Sequence, residues 1–286
     1  MLEDIARAHL RMLAAALEDV AGRRPAPEDP LDARDPDYIR ETLPALRATH
    51  ALWFRGEVRG LERIPEGPCL LVGNHSGGTL IADTFVFAQA FYDHFGPERT
   101  FHQLAHDLVF RVPGVRSMLT SYGTVPANPE NMRRALDRDA ALLVYPGGDE
   151  ESYRPSWESA KVDFAGRKGF ARLARELDVP VVPVVAIGGQ ETALFLGRGR
   201  RFARALGLDR AMRLKVLPTQ VAPPFGLTVL DLPARVPLPA KITVEVLDPM
   251  DLRETDGPDE AYDLVTGRMQ EALDELAEER TLPVLG

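Results

Sequence analysis

The sequence predicts an α/β fold with a largely parallel sheet flanked by helices and preceded by an N-terminal helical extension. Short, mostly apolar runs recur at 69–72, 141–145, 181–187 and 242–247, as expected of strands buried on both faces. Segments of helical periodicity stand between them at 83–93, 130–137 and 166–177, and strands alternating with helices imply βαβ units.

Taken in order, Leu2, Ile5, Met12, Leu13, Ala16, Leu17 and Val20 fall at helical spacing, with His9 interrupting the stripe. They predict an amphipathic helix that either packs on the core or lies on a membrane. Residues 24–38 are rich in Pro and Asp and read as a connection. The strand and helix pattern then runs to about residue 250. A final helix over 259–279 carries Val265, Met269, Leu273 and Leu276 on one stripe. The expected organisation is therefore a helix and linker (1–50), a catalytic domain (51–250) and a C-terminal helix packed on it (251–286).

With 45% hydrophobic and 27% charged residues in 286, the chain has the composition of a protein with a full core. No run reaches the roughly 20 apolar residues of a spanning helix. Glu3, Asp4, Arg7 and Arg11 argue against a signal peptide. A cytoplasmic protein follows as the expectation. The lone cysteine, Cys69, excludes an intramolecular disulfide and a cysteine metal cluster, and its apolar run marks it as core. A net charge of −9 speaks against a nucleic-acid partner. Residues 198–215 nevertheless gather Arg198, Arg200, Arg201, Arg204, Arg210, Arg213 and Lys215, with Phe202, Ala205, Leu206, Leu208, Met212 and Leu214 between them. Such a segment suits peripheral contact with the inner face of a membrane, coenzyme A phosphates, or plain solvent.

Chemistry concentrates in two glycine turns, each directly after an apolar strand. One is Gly73-Asn74-His75-Ser76-Gly77-Gly78; the other is Tyr145-Pro146-Gly147-Gly148-Asp149-Glu150-Glu151. The carboxyl ends of parallel strands are where α/β proteins place ligands. A histidine base in one turn and backbone N–H groups in the other suit acyl transfer, which needs proton abstraction and oxyanion donors. Taken singly, each is equally an ordinary turn.

Four motifs in order resemble the glycerolipid acyltransferase (PlsC-like) superfamily. They are Val72-Gly73-Asn74-His75 with a downstream Asp, Tyr122-Gly123-Thr124-Val125-Pro126, Tyr145-Pro146-Gly147-Gly148, and Val179-Pro180-Val181-Val182-Pro183-Val184. Asp163-Phe164-Ala165-Gly166-Arg167-Lys168-Gly169-Phe170 looks like that family's helix-opening region, and the likeness spans about 53–247. It implies a fatty acyl group moving from acyl-CoA or acyl carrier protein to a lipid hydroxyl. His75 would be the general base and Asp83 its orienter. Asn74, Ser76, Gly77, Gly78, Gly147, Gly148 and Glu151 would surround the substrates, with no metal or redox cofactor.

Three departures bear on the acceptor. The family's H-x-x-x-x-D places its Asp at position 80, which is Leu80; Asp83 stands eight residues after His75. Eight helical residues span about 12 Å, so Asp83 reaches the histidine only if residues 76–79 fold back, as Gly77 and Gly78 permit. The Pro-Glu-Gly-Thr-Arg of phosphate-accepting relatives reads Pro146-Gly147-Gly148-Asp149-Glu150, and Asn128 stands at another position where they carry an arginine. Without those bidentate cations, a neutral glycerolipid or other alcohol is the expected acceptor. The Pro-Gly-Gly form is similar to that of mono- and diacylglycerol acyltransferases. Arg154, Arg167 and Lys168 are the candidates to replace the lost arginines, which would restore lysophosphatidate acylation. An esterase or thioesterase and a catalytically silent lipid-binding module are the rival classes. His102 and His106 sit at i and i+4, a spacing that ligates metal on a helix, but no zincin signature accompanies them.

Overall fold

The computed structural model describes residues 2–23, 27–78, 81–112, 114–211, 216–229, 235–282 and 284. Two helices come first, α1 (Leu2–Val20) and α2 (Pro36–Thr49). Strands β1 (Glu57–Arg59) and β2 (Cys69–Gly73) lead to α3 (Ala82–Phe95). Next are β3 (Phe101–Ala105), α4 (Arg116–Ser121), β4 (Thr124–Pro126), α5 (Pro129–Asp137) and β5 (Ala141–Val144). The short α6 (Gly148–Ser152) and α7 (Gly169–Leu177) precede β6 (Val181–Ile187). An excursion of β7 (Leu194–Gly197), α8 (Arg200–Ala205), α9 (Leu208–Ala211), β8 (Thr219–Ala222) and β9 (Gly226–Thr228) separates β6 from β10 (Thr243–Val246) and α10 (Pro258–Glu279).

The main sheet has seven strands in the order β1-β10-β6-β2-β5-β3-β4. It is parallel from β6 to β4, and β10 runs antiparallel to β6. Alternation along each strand divides the core. Leu70, Val72, Leu142, Val144 and Val185 pack with Phe170, Leu173, Val265, Met269 and Leu273 of α7 and α10. Leu71, Leu143, Val182 and Val184 pack on the other face with Ile39, Leu43, Val86, Phe87 and Phe91 of α2 and α3. The predicted α/β class is the observed one: a sheet buried on both sides needs apolar residues at every position, which is why its strands read as continuous runs. Cys69 is fully buried in this core, and burial pushes its thiol up to about 12.

Two local readings change and two are refined. Within 24–38, a helix already begins at Pro36: Asp35 is its N-cap, accepting from the Tyr38 N–H at 3.0 Å, and Pro36 holds N1. Asp-Pro is a helix start as readily as a turn. His102 lies on β3 rather than on a helix, with its Nδ1 donating to the Gly123 carbonyl at 3.0 Å. Helix α1 turns Ala8 and Ala15 inward and leaves Leu10, Leu13, Leu17 and Val20 exposed, so its larger apolar residues are not core. The basic segment forms two short helices parted by Gly207, whose φ is 67°; Met212, Arg213, Leu214 and Lys215 lie outside the described residues.

Leu142 sits fully buried on the central strand β5. Leu142→Ala is expected to lower unfolding stability by about 2–5 kcal/mol, measured as a drop in denaturant midpoint at unchanged m-value.

Candidate active site

Strand β2 ends at Gly73, where a Cβ would lie 2.5 Å from the Tyr145 ring. Glycine is needed there because that ring crosses the strand end and stacks on His75, centroids 4.5 Å apart and planes 20° apart. Asn74 is fully buried. Its Nδ2 donates to the Ala186 carbonyl at 2.8 Å and its Oδ1 accepts from the Ala186 N–H at 2.7 Å. It thus continues the β2–β6 ladder with a side chain, its amide spent on the Ala186 peptide.

His75 is held by its backbone. Its N–H donates to Glu151 Oε2 at 2.8 Å, and its carbonyl accepts from Arg154 Nη1 at 2.8 Å. Glu151 and Arg154 are both fully buried, with Nη1 3.8 Å from Oε1. Glu151 Oε1 also accepts from the Asp163 N–H at 3.0 Å, and Arg154 donates to the carbonyls of Glu151 and Ser159 at 3.1 Å each. A Cβ at Gly147 would lie 2.2 Å from Glu151 Oε2, so the glycine turn exists in part to admit this carboxylate. Burial pushes the Glu151 carboxyl up to about 7, against the pull of the Arg154 charge. Burial, and then the Arg154 charge, push the His75 imidazole down to about 3. The ring is neutral at physiological pH, the form a general base requires.

The residues after His75 do fold back, through Gly77 (φ 85°) and Gly78 (φ 66°); Thr79 and Leu80 lie outside the described residues. The fold-back carries Asp83 to Ser76 and not to His75. Ser76 Oγ donates to Asp83 Oδ2 at 2.8 Å, and the Thr84 N–H donates to Oδ1 at 2.8 Å. The His75 Nδ1 is buried with no partner among the described residues. Burial pushes the Asp83 carboxyl up to about 6. The loop amides are engaged as well: Gly77 N–H on Gln190 Oε1 at 3.1 Å, and Gly78 N–H on the Ser152 carbonyl at 3.0 Å.

In the second turn the Gly148 N–H donates to the Tyr145 carbonyl at 3.1 Å, whereas that of Gly147 meets no acceptor among the described residues. The three candidate phosphate cations are occupied. Arg154 is buried under His75; Arg167 donates to the Pro146 and Gly147 carbonyls at 2.8 and 2.6 Å; Lys168 pairs with Asp259 at 2.8 Å. Asn128 caps α5, its Oδ1 accepting from the Asn131 N–H at 2.7 Å. Sequence reasoning missed the Tyr145 stack, Gln190, and Arg235, which donates to the Gly77 carbonyl. Gln190 and Arg235 belong to no motif, and the motif that contains Tyr145 does not say where its ring lies.

A ring with a folded pKa near 3 and an unfolded value near 6.5 takes up protons more readily once the chain unfolds. Its contribution therefore favours folding less and less as pH falls below 6.5, until the folded ring titrates. The ring of His75 should remain neutral at pH 5 when followed by ¹⁵N NMR, while that of an unfolded control is protonated. A folded-state midpoint near 6.5 would contradict the buried environment described.

The family model that matches this chain is described as Acyltransferase and covers residues 55–187. An uncharacterised protein of Mycobacterium tuberculosis is 30% identical over 76% of this chain and 58% of its own. The human protein named DGAT1/2-independent enzyme synthesizing storage lipids is 32% identical over 58% of this chain and 50% of its own. The chain thus spans about half to three-fifths of the length of these relatives. The crystal structure of the 1-acyl-sn-glycerophosphate (LPA) acyltransferase PlsC from Thermotoga maritima superposes with a TM-score of 0.56 at 17% identity. That match covers 98% of this chain and 99% of the other, a likeness of fold. Residues 55–187, which carry the His75 and Gly147-Gly148 turns, match the acyltransferase family model, and the fold around them is like that of PlsC.

Proposed function

We propose that the chain transfers a fatty acyl group from an acyl thioester, acyl-CoA or acyl carrier protein, to the hydroxyl of a lipid, with His75 as general base. The observation that carries this reading is an imidazole at the end of β2 with both of its peptide groups gripped by buried side chains. His75 takes the proton of the acceptor hydroxyl as its oxygen attacks the thioester carbonyl. The C–O bond forms, the tetrahedral intermediate collapses with cleavage of the C–S bond, and the imidazolium returns its proton to the leaving thiolate. With Nδ1 buried, Nε2 is the nitrogen left for the acceptor. The Gly147 N–H is the donor proposed for the oxyanion. Asp83 acts by holding Ser76 and the loop that carries the base, and this chemistry calls for no metal or redox cofactor.

A neutral acceptor, such as a mono- or diacylglycerol, is the preferred reading. Arg154, Arg167 and Lys168 are engaged by carbonyls and carboxylates of the chain itself, and Asn128 caps a helix where a phosphate-binding arginine would stand. The name of the storage-lipid relative agrees with such an acceptor. Lysophosphatidate is the runner-up, being the acceptor for which the Thermotoga maritima enzyme of the same fold is named. Hydrolysis is separated from transfer by supplying acyl-CoA alone, since rapid release of free acid without an acceptor marks a thioesterase.

His75→Ala is expected to lower turnover by about 10²–10⁴, the loss typical of a general base, with donor affinity nearly unchanged; wild-type turnover would end the mechanism. In matched micelles, a neutral glyceride should show a higher kcat/KM than lysophosphatidic acid. A preference of about tenfold or more for the phosphate, about 1.4 kcal/mol, would return Arg167 or Lys168 to a phosphate site.

A further inference from the structure

Strands β7, β8 and β9 make a separate three-stranded antiparallel sheet. Its inner face is buried: Phe195 opposes Gln220, and Phe195 and Ala222 pack with Tyr153. The other face points to solvent. Leu194 pairs with Val221 and Val221 with Leu227, so these side chains form one row across the sheet, 47%, 37% and 66% exposed. Leu196 lies two residues along from Leu194 on the same face, and Phe225, at the β8–β9 turn, is 53% exposed. An antiparallel sheet facing water normally carries polar residues there; this one carries none at Leu194, Leu196, Val221 or Leu227.

The chemistry of the rim identifies what covers it. Strand β7 runs through Gly199 into α8, where exposed Phe202 and Leu206 alternate with Arg201 and Arg204. Neither arginine has an ion-pair partner among the described residues, whereas Arg198 and Arg200 turn inward to Glu158 and Glu150 at 3.0 and 2.6 Å. An open cavity of about 350 Å³ is lined by Arg198, Gly199, Arg200, Arg201 and Phe202. Apolar side chains beside such guanidinium groups match acyl chains beneath anionic headgroups. The sheet also adjoins the base: Arg198 Nε donates to the Glu150 carbonyl at 2.7 Å, next to Glu151, and Arg235 lies over the Phe195 ring while donating to the Gly77 carbonyl.

We propose that the outward face of the β7–β8–β9 sheet, with Phe225 at its tip and Arg201 and Arg204 at its rim, docks on an anionic lipid surface and sets the His75 site at that surface. The purpose of this docking rests on the lipid-acceptor reading; its test does not. The intact chain is mixed, without substrate, with phosphatidylcholine vesicles with or without phosphatidylglycerol, and partition is measured by flotation. Wild type should bind the anionic vesicles more tightly. Phe225→Asp with Leu227→Asp should weaken binding by about tenfold or more, and Arg201→Glu with Arg204→Glu by about fivefold or more per arginine, less so at high salt. A solvent-sensitive dye on Leu227→Cys should shift to the blue on binding, since Cys69 is buried and takes up no label; this variant keeps the native charge and serves if the Asp variant fails to fold. Acyl transfer to a water-soluble acceptor should be unaltered in the arginine variant. Vesicle binding with no acyl transfer in any assay would sink the proposed function and leave this surface standing. Absence of wild-type binding, an unshifted dye, or loss of binding only when Leu13 and Leu17 of α1 are replaced by Asp would overturn the proposal. So would variants that alter self-association in size-exclusion chromatography but leave vesicle binding intact.

Discussion

A buried ion pair beneath one histidine is the constraint on which the site depends. Removing a carboxylate and a guanidinium from water costs several kcal/mol for each ion. Glu151 and Arg154 offset that cost through a network of backbone partners: the N–H of His75 and Asp163 on one side, the carbonyls of His75, Glu151 and Ser159 on the other. Both peptide groups of His75 are thereby committed. The ring can pivot only about its own side-chain bonds, and the Tyr145 stack limits even that. A histidine positioned through its backbone keeps its ring nitrogens free of structural duty.

The parallel sheet is what allows one pair to serve several motifs. Neighbouring parallel strands end at the same edge, and the register Val72 with Val144 brings the turns after β2 and β5 side by side. The chain from β5 then supplies Tyr145, Gly147, Glu151 and Arg154 within ten residues of the strand end. Glycine at 73 and 147 removes the two Cβ atoms that would collide with Tyr145 and Glu151. On the far side, Gln190 follows β6 and closes the loop by accepting from Gly77.

The same crowding bears on acceptor chemistry. A cation can recognise phosphate only if its donors are free. Those nearest the turns are engaged, Arg154 by carbonyls under His75 and Arg167, through Nη1, by the carbonyls of Pro146 and Gly147. Arg201 and Arg204, without ion-pair partners among the described residues, stand on α8, beside an apolar sheet rather than beneath His75.

Sequence alone determined the α/β class and the central strands, because a buried parallel sheet must be written in continuous apolar runs and its strand ends in glycine turns. The run at 181–187 predicts a strand and is one end to end, since both of its faces are packed. The partners of each polar residue were decided only by tertiary structure. Asp83 lies eight positions from His75 yet meets Ser76; Arg154 resembles a surface cation in sequence and is wholly buried; Asn74 sits in the motif but bonds Ala186. The leucines of α1 show the same limit, since periodicity marks an apolar stripe without saying whether core or solvent lies against it. Hydrogen bonds and ion pairs at this site act over about 3 Å between groups as far as 158 positions apart in the chain. No local pattern encodes such a distance; the crossing of strands and loops creates it.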